Sequence, residues 1–204
     1  MAATLFLLRH AAHARVGSTL CGRMAGVSLG EEGQQQARAL AGRLAGEAIE
    51  AVYSSPLERA RETAAPVAER LGLTPRVEED LVEIDFGSWT GRDFASLEGD
   101  PQWDRWNTQR ATARPPEGES MAEAQARALG AVARLRAFHP EGRVAVVSHC
   151  DVIKAVLAAF LGITLDGIGR FEILPASISA LALWPGGGKV LSMNETITGK
   201  LGRA

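Results

Sequence analysis

A short, almost unbroken apolar run from Thr4 to Leu8 stops at Arg9 and His10. Such a run, ending on charge, predicts a strand buried on both faces. From Ala11 to Leu29 periodicity is lost, which predicts a loop. Ser28-Leu29-Gly30-Glu31 then has capping-box spacing, and Ala37, Leu40, Ala41 and Leu44 fall on one face of the helix it would open. A second apolar run, Ile49 to Tyr53, predicts another strand. Ser55, Pro56 and Glu58 behind it suit the N-cap, N1 and N3 positions of a helix reaching about Leu71.

Leu81 to Trp89 follows neither period. From Thr90 to Gly118 the chain turns polar and turn-rich around Trp103, Trp106 and Pro115-Pro116, which predicts an excursion over the sheet. Ser120-Met121-Ala122-Glu123 is a further capping box. Met121, Ala124, Ala128, Val132 and Leu135 keep helical spacing after it. Arg143 to Val147 is the clearest strand, with Ser148-His149-Cys150 at its end. Val152, Ile153, Val156, Leu157 and Phe160 give the next helix a wide apolar face. Ile178 to Trp184 and Lys189 to Met193 read as two strands joined at Pro185-Gly186-Gly187-Gly188. Strands alternating with helices predict an α/β fold: a three-layer α/β/α sandwich with a mostly parallel sheet. The reading is one domain over residues 1–204, with a small helical cap insertion at about 90–118.

Composition narrows the partners. The 204 residues are 46% hydrophobic and 23% charged, with a net charge of −2. That balance gives no general attraction to nucleic acid or an anionic membrane, so an anionic ligand must meet a local cluster of cations. The two cysteines, Cys21 and Cys150, have no metal-ligand spacing and suit a reduced, cytoplasmic setting. The opening apolar run lacks a preceding basic segment and is too short for a signal peptide. The longest apolar stretch, Val152 to Ile163, carries Lys154. No membrane association is expected. The apolar C-terminal strands could pair across a homodimer.

In a parallel sheet, ligands bind at the carboxyl ends of the strands. Arg9 and His10, Ser54-Ser55 with nearby Arg59, and Ser148-His149 all fall at such ends. Two arginines and two histidines can therefore meet in one crevice. Arginine offers a planar fork suited to phosphate oxygens, and a helix N-terminus near Arg59 adds positive potential. Neighbouring cations disfavour protonation of His10, and an attacking imidazole must be neutral. Arg9, Arg59 and His149 would hold the phosphoryl oxygens while the group moves. A carboxyl facing a phosphate dianion has a raised pKa, so Glu83 is the candidate proton donor. Asp85, two residues on, is the rival.

These residues lie in segments that resemble the histidine phosphatase superfamily, also called phosphoglycerate-mutase-like. Leu8-Arg9-His10 matches its Arg-His signature. Ser54-Ser55-Pro56-Leu57-Glu58-Arg59-Ala60-Arg61-Glu62-Thr63-Ala64 is similar to its Ser-Ser-Pro-x-x-Arg-Ala-x-x-Thr-Ala segment. Glu83-Ile84-Asp85-Phe86-Gly87-Ser88-Trp89-Thr90-Gly91, Gly118-Glu119-Ser120 and Val147-Ser148-His149 follow in the family's order. The resemblance covers most of the chain. It implies His10 as the phosphorylated residue and Glu83 as the proton donor. Arg9, Arg59 and His149 would hold the phosphoryl group, with no metal and no cofactor. Ala11 and Cys150 stand where the family has glycine. The mutase branch carries an asparagine shortly after Arg-His, where this chain reads Ala14-Arg15-Val16-Gly17, and that branch has a longer, more basic insertion.

The expected function is hydrolysis of a small phosphate monoester through a phosphohistidine. Phosphoglycerate mutation and a phospho-ligand-binding regulatory module are the alternatives. Cys150 and His13 join Arg9, Arg59 and His149 as phosphate or substrate contacts. His13 could equally be an exposed loop residue, and Cys150 a small helix-start residue. Arg61 and Glu62 read as a solvated face, His139 as a structural helix-end residue. Trp89, Trp103 and Trp106 read as cap packing, one of them able to line an entrance.

Overall fold

The computed structural model describes residues 2–197. It contains β1 (Ala3–Arg9), α1 (Glu31–Leu44), β2 (Ala51–Ser54), α2 (Glu58–Leu71), β3 (Arg76–Val77), α3 (Pro101–Thr108), α4 (Met121–Phe138), β4 (Arg143–Ser148), α5 (Cys150–Leu161), β5 (Ile178–Trp184) and β6 (Gly187–Glu195). One six-stranded sheet runs in the order β3-β2-β4-β1-β5-β6. β3, β2, β4 and β1 are parallel, and β5 and β6 join antiparallel.

The apolar runs become central strands because both their faces are covered. Leu5 and Leu7 of β1 point with Val144 and Val146 of β4 into a core closed by α4 and α5. Phe6, Leu8, Ala145 and Val147 point the other way, onto α1 and α2. Strand alternation thus divides consecutive apolar residues between two cores, and the α/β/α layering follows. A third cluster, with Trp89 and Trp106 at its centre, packs outside the sheet against Met121 and Ala155. It anchors the stretch between about 90 and 118, which contains α3 and one short 3₁₀ turn, Phe94–Ser96.

The connections create the crevice. The chain leaves β1 for α1 on one face of the sheet, and leaves β4 for α5 on the other. β1 and β4 are direct neighbours, with Arg9 opposite Ser148. Their carboxyl ends therefore open a gap between diverging chains, and Arg9-His10 and Ser148-His149 are the residues at its edges.

Two helix starts differ from the sequence reading. Ser28 caps nothing: the N-cap of α1 is Gly30, without a side-chain hydrogen bond. Here the helix end is fixed by close packing, since a Cβ on Gly33 would collide with the Ala12 carbonyl. Ser55 likewise does not cap α2, which begins three residues later behind Leu57. The Ser55 hydroxyl is engaged by His149 instead (2.7 Å). The Ser120 capping box forms as expected, with Ser120 Oγ and Glu123 both bonded across it. The two-residue strand β3 is too short to leave a periodic signal and was not expected from the sequence.

Gly33 supplies a test of this packing. Alanine normally favours a helix interior over glycine by about 1 kcal/mol. In Gly33→Ala the added methyl meets backbone that cannot swing aside, so we expect net destabilisation of about 1–3 kcal/mol in urea unfolding. Stabilisation would mean the 11–14 loop is free to move.

Candidate active site

His10 follows directly on β1 and is buried. Its backbone N–H donates to Ser148 O across the crevice (2.9 Å). Its Nδ1 lies 2.8 Å from Ala11 O. A carbonyl only accepts, so Nδ1 carries the ring hydrogen and Nε2 keeps its lone pair. Burial, then the charges of Arg59 and Arg9, holds His10 well below the usual histidine pKa, so the ring is neutral. The main chain behind it is anchored to α2. Ala11 N–H donates to Thr63 Oγ1 (2.9 Å), which donates to Arg59 O (2.7 Å). Ala11 has no positive φ, so its backbone needs no glycine.

Each arginine is tethered by one arm to a carbonyl. Arg9 Nη1 donates to Ile173 O (2.6 Å) and Arg59 Nη2 to Gly22 O (2.7 Å). Arg59 is only 2% exposed. Arg9 Nε, Arg59 Nε and Nη1, His149 Nδ1 and His13 Nδ1 are all buried without a partner among the described residues. Buried polar nitrogens are rarely left so, and buried guanidinium donors call for an anion. The His149 ring lies 5.2 Å from that of His10. His149 Nε2 lies 2.7 Å from Ser55 Oγ; with the Ser55 hydroxyl donating there, the ring hydrogen falls on Nδ1, the nitrogen nearer Glu83. Burial and Arg59 keep His149 neutral too.

Glu83 lines the same cavity of about 280 Å³ as Arg9, His10 and Arg59. One of its oxygens accepts from Ile84 N–H (2.9 Å), and the other lies 4.0 Å from His149 Nδ1. Burial and the nearby Asp151 push its carboxyl up to about 7, against the pull of Arg59, Ile84 N–H and Arg9. Asp85 instead faces Arg23 (3.7 Å) and accepts from Gly87 N–H (2.9 Å), and it is not among the cavity-lining residues.

The loop carrying Glu83 is irregular but firmly held. Arg127 donates to Asp80 O (2.7 Å), Val82 O (2.7 Å) and Glu83 O (3.3 Å), and pairs through two nitrogens with Glu119 (2.7 and 2.8 Å). Arg23 adds a bond to Glu83 O (2.8 Å) and one to Glu119 (3.0 Å). Gly87, at φ +52°, lets this loop lie against Pro116 and Glu117, where any Cβ would strike backbone. Glu119 N–H then donates to Asp85 O (2.7 Å). Sequence reasoning named Gly118-Glu119-Ser120 as a match but gave Glu119 no task, and it missed Arg23 and Arg127. It also missed Thr63 and the link from Ser55 to His149. Nor is Glu62 merely solvated: its carboxylate accepts from Leu29 N–H (2.7 Å), pinning the 11–29 loop to α2.

His13 stacks on His10 at 5.4 Å and lines the cavity. Burial, Arg59 and Arg9 lower its pKa to about 4. Cys150 also lines the cavity, but its thiol donates to Ile173 O (3.6 Å), and burial pushes it up to about 11. Cys21 lies on the cavity wall. Trp89 and Trp106 are core residues of the third cluster, and Trp103 and Trp106 both reach the cavity. His139 ends α4, bonded to Glu50 (2.6 Å) and Tyr53 (3.1 Å), a structural role as read.

Residues 5–196 match the histidine phosphatase superfamily (branch 1), and the chain belongs to that family. It is 36% identical over 168 residues to glucosyl-3-phosphoglycerate phosphatase of Mycobacterium tuberculosis, covering 77% of this chain and 74% of that protein. It is 33% identical over 170 residues to phosphoserine phosphatase 1 of Hydrogenobacter thermophilus, covering 82% and 81%. The bifunctional protein Rv2228c of Mycobacterium tuberculosis is 37% identical over 171 residues; these cover 82% of this chain but only 47% of that protein. The chain thus spans about half the length of the first curated relatives it matches. Among solved structures, mycobacterial glucosyl-3-phosphoglycerate phosphatase superposes with a TM-score of 0.87 at 30% identity, covering 96% of this chain and all of that one. Bacillus stearothermophilus YhfR superposes with a TM-score of 0.90 at 29% identity, covering 95% and 98%.

The clamp on the Glu83 loop can be tested by stability. Arg127→Met should cost about 3 kcal/mol, because the mostly buried Glu119 carboxylate loses its two-point partner. An unchanged denaturation midpoint would show that Arg23 alone suffices.

Proposed function

We propose that the chain is a phosphomonoester hydrolase that passes the phosphoryl group through His10. One observation carries the reading: unpaired buried donors of Arg9, Arg59 and His149 surround a neutral histidine whose Nε2 lone pair is free. Support also comes from relatives named as phosphatases of phosphoserine and of glucosyl-3-phosphoglycerate, both phosphate monoesters.

In the first step His10 Nε2 attacks phosphorus. An N–P bond forms, the bond to the ester oxygen breaks, and the leaving oxygen takes the Glu83 proton. Arg9, Arg59 and His149 Nδ1–H hold the equatorial oxygens, and the charge they face changes little as the phosphoryl group migrates. In the second step Glu83, now ionised, takes a proton from water as its oxygen bonds to phosphorus. The N–P pair returns to His10, and inorganic phosphate leaves. His13, stacked on His10, borders the oxygens on the open side, and the Cys150 side chain contributes shape more than hydrogen bonding.

The 90–118 stretch serves as the cap of this single domain. Phe94, Trp103, Trp106 and Arg110 come from it to the cavity wall. A cavity of about 280 Å³ fits a small metabolite ester better than a macromolecule. The two free thiols fit the cytoplasmic setting expected from the sequence.

His10→Ala should abolish phosphate release from a panel of metabolite monoesters assayed in EDTA, with the circular dichroism spectrum retained. Near-normal turnover at verified purity would end the mechanism. Glu83→Gln should slow alkyl esters far more than nitrophenyl phosphate, which leaves without needing a proton. Equal slowing would give Glu83 a positioning role. Because Glu83 must start protonated, kcat/KM for alkyl esters should fall about tenfold per pH unit above about 7. A profile flat to pH 9 would remove it as the acid.

A further inference from the structure

The wall of the cavity away from the phosphoryl cradle carries one ion pair that touches none of the reacting atoms in the steps above. Arg110 Nη1 donates to Asp151 Oδ2 (2.8 Å), and Arg110 Nη2 donates to Asn107 Oδ1 (3.1 Å). The guanidinium lies over the Trp106 ring, 4.8 Å from its centroid, with Nη1 near Met121 Sδ (4.0 Å). The two side chains are only 17% and 21% exposed, and both line the cavity that holds His10 and Glu83. Asn107 and Arg110 come from the end of α3 and the residues after it. Asp151 comes from the first turn of α5, two residues past His149.

Trp106 and Asn107 fix the guanidinium plane, so little freedom remains to be lost when a ligand arrives. Arg110 Nε–H and one Nη2 hydrogen have no partner among the described residues, which suffices for a two-point grip on a carboxylate. Asp151 Oδ1 accepts no hydrogen bond there either, and is open to a cation. The wall therefore presents a positive and a negative group side by side.

Charge balance points to the same partner. With Glu83 protonated, the cavity is lined by the cations Arg9, Arg59 and Arg110 and the anion Asp151, and a phosphate dianion offsets the excess. A leaving group with a lone carboxylate or a lone ammonium would upset that balance. One that carries both keeps it.

We infer that Arg110 and Asp151 form the leaving-group subsite, and that it selects O-phosphorylated amino acids, with the carboxylate on Arg110 and the ammonium on Asp151. This rests on the phosphatase reading of the cavity, and a binding measurement separates the two. Calorimetry on His10→Ala protein, which needs no turnover, would compare four probes. O-phosphoserine carries both groups, 3-phosphoglycerate only the carboxylate, phosphoethanolamine only the ammonium, and glycerol 3-phosphate neither.

O-phosphoserine should bind about tenfold or more tighter than each of the other three, the size expected for charge-assisted hydrogen bonds in a half-enclosed site. Adding Arg110→Gln should erase its advantage over phosphoethanolamine, and adding Asp151→Asn its advantage over 3-phosphoglycerate. Circular dichroism checks that each variant is folded. Glycerol 3-phosphate or either singly charged ester binding as tightly as O-phosphoserine would overturn the inference. So would a preference that survives both substitutions. If the unmodified protein binds O-phosphoserine selectively yet releases no phosphate from it, hydrolysis falls and the subsite stands.

Discussion

Two guanidinium groups, Arg59 buried and Arg9 half-buried, that are tethered without being neutralised are the constraint on which the site depends. Arg9 and Arg59 each give one arm to a backbone carbonyl. A carbonyl fixes position but cancels little charge, so the positive potential survives in a region shielded from water. The same potential adds to burial in keeping His10 and His149 neutral. A paired carboxylate would have given a more stable protein and a weaker anion site. The fold supports this arrangement by drawing the tethers from different places, the 11–29 loop for Arg59 and the stretch before β5 for Arg9.

Glu83 shows the opposite treatment. Its carboxyl is left nearly alone among the hydrogen bonds, while its backbone is gripped by Arg127 and Arg23. Those arginines are neutralised by Glu119 and Asp85 and are thereby prevented from acting as strong counter-ions to the carboxyl they position. Asp151 adds a like charge nearby. Rigidity of the chain and freedom of the proton are thus provided by separate groups.

Much of this was legible in the residues. Burial on two faces wrote β1 and β4 as apolar runs, and strand ends located Arg9, His10 and His149. The helix starts at Ser28 and Ser55 were misread because capping-box spacing records what a serine can do locally, and a distant partner can claim it. His149 claims Ser55, and close packing of Gly33 on Ala12 replaces any cap at Ser28. The Glu119–Arg127 clamp was illegible for a similar reason. Its bonds reach carbonyls some forty-five residues away, and carbonyls are chemically identical all along the chain. Asp85 and Glu83 could not be separated by spacing. The turn at Gly87 draws Asp85 onto Gly87 N–H, and Glu83 alone of the two lines the cavity.

The bond from Ala11 N–H to Thr63, and on to Arg59 O, has a wider consequence. It makes the placement of His10 the business of main chain and one hydroxyl at the sheet edge, while the opposite wall is built from the 11–29 loop and the 90–118 stretch. Those two segments are laced to one another, through Leu20 with Gly91 and Arg92 and through Ser18 with Phe94. The 11–29 loop also holds Arg59 through Gly22 O and the Glu83 main chain through Arg23. A lineage could redraw the other side chains of that wall and keep the cradle, so long as those two ties stay in place.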